Sequence, residues 1–217
     1  MLMDKPFLFF DCWYTLFTAD LAGDLVRITD VLGVAYTKHF LKTFERSLMV
    51  LPEPNVRPGI RRLLAELRLP VSSSRVSTIA EMLEAGFDRQ RPYDDTLAGL
   101  EALRRSYRLG LITNSSQAAF VLLSQTYHLP DRFDVIVTSY DVGTIKPDSR
   151  MFHAAAAQAG VPADQAIMVG DSPGDDYQGA LLSGFAGAVL LDRRGRYPHH
   201  AHRITELSQL SKALESL

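Results

Sequence analysis

The sequence FLFFDCWYTL at residues 7–16 begins as a continuous apolar run and stops at the carboxylate of Asp11. Four consecutive apolar residues followed by a change of pattern are typical of a strand that is buried on both faces of a parallel sheet. A carboxylate directly after such a strand lies at the sheet edge where α/β proteins bind their ligands. The stretch therefore predicts an α/β fold with Asp11 in the binding crevice.

The rest of the chain falls into a helical part and an alternating part. From about Asp20 to Gly86 the apolar residues follow helical spacing, and breakers divide the segment into about four helices. The later strands are predicted at residues 109–113, 133–138, 166–170 and 186–191, with helices at about 95–107, 117–127, 148–160, 174–183 and 206–217. Alternation of this kind builds parallel sheets. We predict a Rossmann-like three-layer core with a mostly parallel sheet, formed by residues 1–17 and 89–217, and an inserted α-helical domain at residues 18–88.

The composition argues against several classes of function. The 23 basic and 25 acidic residues leave a net charge of -2, without the basic excess that nucleic-acid binding requires. Cys12 is the only cysteine, so an internal disulfide and a cysteine-rich metal site are excluded. No apolar run approaches the roughly 20 residues of a membrane span. We expect a cytoplasmic monomer or homodimer that binds a small molecule and neither nucleic acid nor membrane.

Polar groups follow four of the predicted strands. Asp11 follows the first strand, Thr113 the second, Lys146 lies in the loop after the third, and Asp171 and Asp176 follow the fourth. Because the carboxyl ends of parallel strands share one edge of a sheet, we expect these side chains to meet in one crevice.

This combination of groups suits attack on a phosphoryl group. An aspartate such as Asp11 can accept a phosphoryl group only where cations offset the negative charge of the two reactants. Lys146 is one such cation. The second is predicted to be Mg²⁺, held by Asp11 and Asp171, with Asp176 binding the ion directly or orienting one of its waters.

The residues after the second core strand are predicted to contact the substrate. Thr113, together with Asn114 and Ser115, would hold the phosphoryl oxygens. An alternative role for Thr113 is purely structural, with its hydroxyl capping the next helix.

The order of these motifs resembles the haloacid dehalogenase (HAD) superfamily over essentially the whole chain. The matching pieces are Asp-x-x-x-Thr-Leu from Asp11, Thr-Asn from Thr113, Lys-Pro from Lys146, and Gly-Asp-Ser-x-x-x-Asp-x-x-Gly-Ala from Gly170. The resemblance implies a hydrolase that forms a covalent intermediate on Asp11. It also implies that the helical insert is a cap that closes over the site and excludes water.

One position departs from the pattern of most phosphatases in this superfamily. They resemble this chain in the nucleophile but carry a second aspartate two residues later, where this chain has Trp13. A general acid typically contributes about 10²- to 10⁴-fold, so leaving groups that depart without a proton are favoured here. Trp13 would be a packing residue or an aromatic wall for the substrate, and a cap residue such as Asp20 or Asp24 is an alternative source of the acid.

Two other functions stay open at this stage. The 2-haloacid dehalogenases look similar in placing an aromatic residue at the position of Trp13, and they use a cap arginine, for which Arg27 and Arg46 are candidates. The metal-binding form of Asp171 and Asp176 argues against this alternative. A degenerate relative that binds a phosphorylated ligand or partner without turnover is the third possibility.

The segment RRGRYPHHAH at residues 193–202 lies beyond the last core strand. Its histidines have the composition of a zinc site, but we interpret the segment as a solvated loop and its arginines as surface charge. Contact of these arginines with a charged partner or substrate is the alternative.

Overall fold

A computed structural model describes residues 6–18 and 21–217 and has eight strands within these ranges. The strands are β1 Phe7–Phe10, β2 Phe17–Thr18, β3 Arg91–Pro92, β4 Arg108–Thr113, β5 Val135–Thr138, β6 Ala166–Gly170, β7 Gly187–Leu191 and β8 Arg203–Ile204. Six of them form one sheet in the order β5-β4-β1-β6-β7-β8, and every neighbouring pair is parallel. Strands β2 and β3 form a separate antiparallel pair.

The helices divide into two groups along the chain. The helices are α1 Leu21–Leu32, α2 Lys38–Met49, α3 Arg57–Glu66, α4 Ser73–Phe87, α5 Thr96–Leu103, α6 Gln117–Tyr127, α7 Ser139–Val142, α8 Ser149–Ala159, α9 Gly179–Leu182 and α10 Leu210–Leu214. A π-helical turn, Pro173–Gln178, leads directly into α9. We call α1–α4 the cap helices. No helix in the described part of the chain is both long enough and apolar enough to cross a bilayer.

Strand β1 lies at the centre of the sheet and is buried on both faces. Leu8 and Phe10 belong to one hydrophobic cluster, whereas Phe7 and Phe9 belong to another, and all four side chains are fully buried. Because successive residues of a strand point to opposite faces, one short apolar run supplies both clusters. The run therefore explains the three-layer arrangement, with helices covering the two faces of the sheet.

The cap helices pack around a hydrophobic cluster of their own. Its buried members include Leu25, Phe44, Ile60 and Leu83, and Ile145 from the loop after α7 joins it. A bridge between the cap helices and the sheet edge is the hydroxyl of Ser139, which donates to the Met49 carbonyl at 2.6 Å. The boundaries of the predicted insert, residues 18–88, stay a prediction.

The predicted α/β fold is confirmed, with differences at short elements. Strand β6 and helix α6 have the predicted limits, and the predicted 148–160 helix runs from Ser149 to Ala159. The helix predicted at 206–217 is confined to α10, because Leu207–Gln209 forms a 3₁₀ turn before it. The helix predicted at 174–183 is divided between the π-helical turn and α9. Strands β2, β3 and β8 have two residues each, which is too short for a periodic pattern.

Candidate active site

Three carboxylates from two strand ends converge at the carboxyl edge of the sheet. Asp11 follows β1, and Asp171 and Asp176 lie in the turn after β6. One carboxylate oxygen from each residue lies within 4.8 Å of those of the other two. Oxygen ligands at this spacing suit Mg²⁺, which binds through a few carboxylates and keeps several waters.

Lys146 compensates part of this negative charge. Its ammonium group donates hydrogen bonds to Asp11 Oδ1 at 2.7 Å, to Asp176 Oδ1 at 2.6 Å and to the Ile112 carbonyl at 2.8 Å. The side chain is only 2% exposed. Three donors and three acceptors leave the buried ammonium fully satisfied, so Lys146 fixes the two carboxylates relative to strand β4.

Asp11 and Asp176 each accept a further hydrogen bond, and Asp171 is held by an arginine. Thr15 Oγ1 donates to Asp11 Oδ2 at 2.9 Å, and the Ser172 backbone N–H donates to Asp176 Oδ2 at 3.0 Å. Arg196 Nη2 donates to Asp171 Oδ2 at 2.8 Å. These contacts restrict the rotation of all three carboxylates.

Gly170 allows the acidic turn to fold back onto strand β6. A Cβ atom at this position would lie 2.4 Å from Cγ of Asp176. Because atoms do not approach so closely, a side chain at position 170 would displace the Asp176 carboxylate from its contact with Lys146. The absence of a side chain is thus part of the geometry of the site.

The crowding of carboxylates shifts their protonation. Burial, followed by the charge of Asp11, raises the pKa of Asp171 to about 6, although Arg196 and Lys146 oppose the shift. Burial also raises the pKa of Asp176 against the attraction of Lys146. Desolvation opposes protonation of Lys146, but Asp11 and Asp176 outweigh it and raise the lysine pKa. The net excess of negative charge favours a bound cation.

The predicted substrate-binding residues at the end of β4 and directly after it make different contacts. The Thr113 hydroxyl is fully buried and has no hydrogen-bond partner in the described part of the chain. Helix α6 is capped by Ser116 instead, so the alternative capping role of Thr113 is not observed. Asn114 holds the loop that carries Lys146, accepting from its N–H at 2.8 Å and donating to its carbonyl at 3.3 Å. The Ser115 N–H donates to the Ser139 hydroxyl at 3.0 Å.

Two of the cavities between the cap helices and the sheet edge adjoin Trp13. The first, the polar cleft, has a volume of about 270 Å³. It is lined by Asp11, Asn114, Lys146, Asp171, Asp175 and Asp176 from the sheet edge and by Leu25, Tyr36, Leu41, Glu45 and Met49 from the cap segment, among others. The second, the apolar cavity, has a volume of about 50 Å³, and Phe44, Leu48, Val56, Leu83, Phe87 and Ala119 contribute to its lining. Trp13 and Met49 line both cavities and therefore form the wall between them.

Glu45 of α2 is a cleft carboxylate that the sequence pattern did not indicate. Lys42 donates to Glu45 Oε2 and to Asp175 Oδ2, both at 2.8 Å, and so joins the cap to the acidic turn. Burial raises the pKa of Glu45. The sequence does not distinguish this carboxylate from a surface residue, because Lys42 and Glu45 are three residues apart on a helix and have the spacing of an ordinary surface ion pair.

Of the predicted alternative acids and carboxylate ligands in the cap, Asp24, Arg27 and Arg46 do not line the polar cleft. Asp24 lines the apolar cavity and accepts two hydrogen bonds from Arg89, at 2.8 and 2.7 Å, and one from Arg27. Asp20 is outside the described residues.

The arginines of the segment 193–202 are not only surface charge, because the Arg193 side chain is 8% exposed and two other arginines line the polar cleft. Arg194 and Arg196 line the cleft, and the Arg194 guanidinium lies 4.5 Å from the ring centroid of Tyr14. The three histidines do not form a metal site, since the cluster of Asp11, Asp171 and Asp176 is the only such group among the described residues. His200 packs edge-on against the ring of Tyr177, with the ring centroids 4.4 Å apart.

Comparison with known proteins gives a consistent picture. The family model for haloacid dehalogenase-like hydrolases matches residues 17–184. The pyrimidine 5'-nucleotidase YjjG of Escherichia coli is 28% identical over 195 residues, which cover 87% of each chain. The phosphoserine phosphatase of Thermus thermophilus is 37% identical over 52% of this chain, a match that spans about half of that protein, 47%.

Solved structures share the whole architecture. A HAD phosphatase from Thermococcus onnurineus superposes with a TM-score of 0.64 at 26% identity, covering 96% of this chain and 97% of that one. A 2-haloacid dehalogenase from Pseudomonas syringae gives a TM-score of 0.66 at 24% identity, covering 98% and 99% of the two chains. The second likeness shows a common fold only.

Proposed function

The chain belongs to the haloacid dehalogenase-like hydrolases, and we propose that it is a magnesium-dependent phosphatase that acts on a small phosphorylated compound through Asp11. The observation that carries the proposal is the group of three carboxylates within 4.8 Å of one another, two of them bonded to the buried Lys146. The relatives named as phosphatases and a nucleotidase support the same class of substrate.

The donor set fits a magnesium ion. Asp11, Asp171 and Asp176 would hold it, because all three offer oxygen atoms and their charge exceeds that of Lys146. When bound, the ion supplies positive charge that offsets the charge of the phosphoryl oxygens. Asp11 would then serve both as a ligand and as the nucleophile.

The side chains of the site have separate tasks in the proposed reaction. An oxygen of Asp11 attacks phosphorus, the bond from phosphorus to the leaving oxygen breaks, and an aspartyl phosphate forms. Lys146 and Thr15 hold the Asp11 carboxylate from its two sides. Thr113 does not line the polar cleft, but its buried hydroxyl has no partner among the described residues, and we propose it as a donor for a phosphoryl oxygen. Water then attacks the phosphorus atom, the bond from phosphorus to the Asp11 oxygen breaks, and the Asp11 carboxylate is restored as dihydrogen phosphate, which carries both protons of the water, leaves.

Trp13 determines which esters can react. It lines the cleft two residues after Asp11, and an indole ring supplies no proton at neutral pH. Without an acid at this position, leaving groups that depart as anions are favoured, so acyl, aryl and anhydride phosphates should react faster than alkyl phosphates. We propose that residues 18–88 act as the cap and exclude water from the cleft during the first step.

The test combines substrate, metal and nucleophile. We expect phosphate release from aryl or acyl phosphates with Mg²⁺, little release in EDTA, and a loss of at least about 10³-fold in kcat for Asp11→Asn. Asp164→Asn is the matched control, because Asp164 is exposed and precedes β6, at the end of this strand opposite to the site. Intact-mass measurement should detect a phosphorylated wild-type chain. Equal activity of wild type and Asp11→Asn would disprove the mechanism.

A second candidate, a 2-haloacid dehalogenase, is favoured by the aromatic residue at position 13. In that reaction Asp11 would displace halide from carbon, and the halide would need no proton. Neither Arg27 nor Arg46 lines the polar cleft, which weighs against it, but Arg46 lines an adjacent cavity that Lys146 and Asp175 also border. Halide release from 2-haloacids that persists in EDTA would support this candidate. Binding of phosphate esters without release of either product would instead indicate a protein that only binds its ligand.

A further inference from the structure

The arginine-rich loop after β7 contributes the side chains of Arg194 and Arg196 to the polar cleft. Asp192 accepts hydrogen bonds from the backbone N–H groups of Arg196 at 2.9 Å and Tyr197 at 2.8 Å, and its side chain pairs with Arg203 at 2.8 Å. Gly195 has a φ of +66°, a value that favours glycine. The loop is therefore held as a tight turn.

Arg193 anchors this turn to the loop that follows the nucleophile. Its Nε donates to the Thr15 carbonyl at 2.6 Å, and its Nη1 donates to Asp95 at 3.1 Å. Only 8% of the side chain is exposed. This anchor places the next residue, Arg194, beside Tyr14, which is three positions beyond Asp11 in the sequence.

Arg194 differs from the other cations around the cleft. Lys146 is bonded to two carboxylates, and Arg196 is bonded to Asp171. Within the described ranges, Arg194 has no acidic partner, and its recorded contact is the face of the Tyr14 ring. A guanidinium beside an aromatic ring in a cleft that contains several carboxylates is available to an incoming anion.

We propose that Arg194 binds a second anionic group of the substrate, so that the compound hydrolysed carries a carboxylate or another phosphate besides the phosphoryl group at Asp11. This inference rests on the proposed phosphatase function. Asp11, Tyr14 and Arg194 line the same cleft, so one small molecule can contact both Asp11 and Arg194. The cleft volume of about 270 Å³ likewise suits a small molecule.

The geometry of the guanidinium explains why both anions are included. Its planar fork forms two parallel hydrogen bonds with either a carboxylate or a phosphate group. A neutral substituent of the same shape would gain neither the charge nor the paired hydrogen bonds. Arg194 would thus select among substrates by their charge, and it is a specificity residue rather than a catalytic one.

The experiment compares esters that differ in one charge. Wild-type enzyme with Mg²⁺ is assayed on 4-carboxyphenyl, 4-phosphonophenyl and 4-carbamoylphenyl phosphate, of which the last is neutral at the distal group. We expect kcat/KM to favour at least one charged ester by about 5- to 10-fold, mainly through KM. The better of the two charged esters identifies the preferred anion.

Substitutions then assign the preference to one side chain. Arg194→Gln should reduce the ratio of charged to neutral ester to about one, and Arg194→Lys should restore part of it. Arg61→Gln, at an exposed position on α3, should leave the ratio unchanged. Equal kcat/KM values for all three esters in wild type, or an unchanged ratio in Arg194→Gln, would overturn the inference.

A binding measurement separates this inference from the proposed function. Calorimetric titration of Asp11→Asn with the same esters requires no turnover. If wild type releases no phosphate from any ester, the phosphatase proposal fails, whereas tighter binding of a charged ester that Arg194→Gln abolishes would still support the role of Arg194. Equal affinities for charged and neutral esters would disprove that role even in an active phosphatase.

Discussion

The polar cleft and the apolar cavity lie side by side, separated by Trp13 and Met49, and they are built on opposite principles. The polar cleft, about 270 Å³, gathers carboxylates, Lys146 and two arginines. The apolar cavity, about 50 Å³, is enclosed mainly by cap side chains. In the cleft the arrangement depends on charge compensation, whereas around the cavity it depends on packing.

Substitutions in the polar cleft and substitutions around the apolar cavity should therefore affect different properties of the protein. A change of charge in the cleft alters the protonation of its carboxylates, metal binding and turnover. The reason is that the charged groups of the cleft lie close together and interact strongly with one another. A change of volume around the cavity alters stability, because lost contacts are not replaced. Four substitutions, taken from the largest expected effect to the smallest, test whether the two regions are separable.

Lys146→Met should have the largest effect, about 3–5 kcal/mol in the free energy of unfolding. The substitution leaves Asp11 and Asp176 buried without their shared cation, at sites 7% and 3% exposed. Urea unfolding in EDTA measures the loss, and added Mg²⁺ should recover part of it. A change below about 0.5 kcal/mol would mean that the cleft does not depend on charge compensation.

Leu83→Ala tests the apolar cavity and should cost about 2–4 kcal/mol. Leu83 is 3% exposed, lines the cavity and does not line the polar cleft. We expect kcat/KM on an active phosphate ester to stay within about twofold, since no group of the cleft is removed. Leu122→Ala, at a position 39% exposed, is the control and should cost less than about 0.5 kcal/mol. A large fall in kcat/KM for Leu83→Ala would show that the two regions are coupled.

The pH dependence of stability tests the crowding of carboxylates. The pKa of Asp171 is raised to about 6 in the folded protein, whereas an unfolded aspartate has a pKa of about 4. The folded state therefore binds the proton more tightly, and the free energy of unfolding falls as pH rises from about 4 to about 6.

In EDTA, this fall should be about 1–3 kcal/mol larger for wild type than for Asp171→Asn, which lacks the titrating group. Unfolding curves at several pH values across the interval provide the measurement. Parallel pH profiles for the two proteins would contradict the raised pKa. Mg²⁺ at the upper pH should stabilise wild type more than the variant, because the variant lacks one ligand.

Trp13→Asp should have the smallest effect, and it acts on the wall between the two regions. A carboxyl group at this position could protonate a leaving alkoxide, so the ratio of kcat on glycerol phosphate to kcat on phenyl phosphate should rise about tenfold. Trp13→Phe keeps an aromatic wall without an acid and should leave the ratio unchanged. An unaltered ratio in Trp13→Asp would indicate that a proton donor already serves the cleft, with Glu45 the first residue to substitute.

The sequence predicted the sheet edge far better than the surfaces facing it. Each charged residue of the predicted site follows a predicted strand: Asp11, Lys146, Asp171 and Asp176. In a parallel sheet, the residues that follow the strands lie together at one edge. The positions of Glu45 and Arg194 required the structure. Their orientation depends on how a helix and a long loop pack against that edge, and no local pattern records such packing.

The sequence did not predict the shortest elements for a related reason. Strand β8 has two residues and is defined only by its pairing with β7, so it carries no alternation of its own. The arginines after β7 resemble ordinary surface charge because their partners are remote in sequence: Thr15 for Arg193 and Asp171 for Arg196. The catalytic roles assigned to the individual site residues stay predictions until the variants are measured.

The glycine at position 170 sets a limit on how this protein could change under selection. It has no reactive atom and binds no ligand, yet any larger residue there would meet the Asp176 carboxylate at 2.4 Å. Further changes to the acids or the lysine would not restore the site after such a substitution, because the new side chain would occupy the space of the Asp176 carboxylate. A position without a functional group is thus as necessary to the geometry of the site as the nucleophile itself.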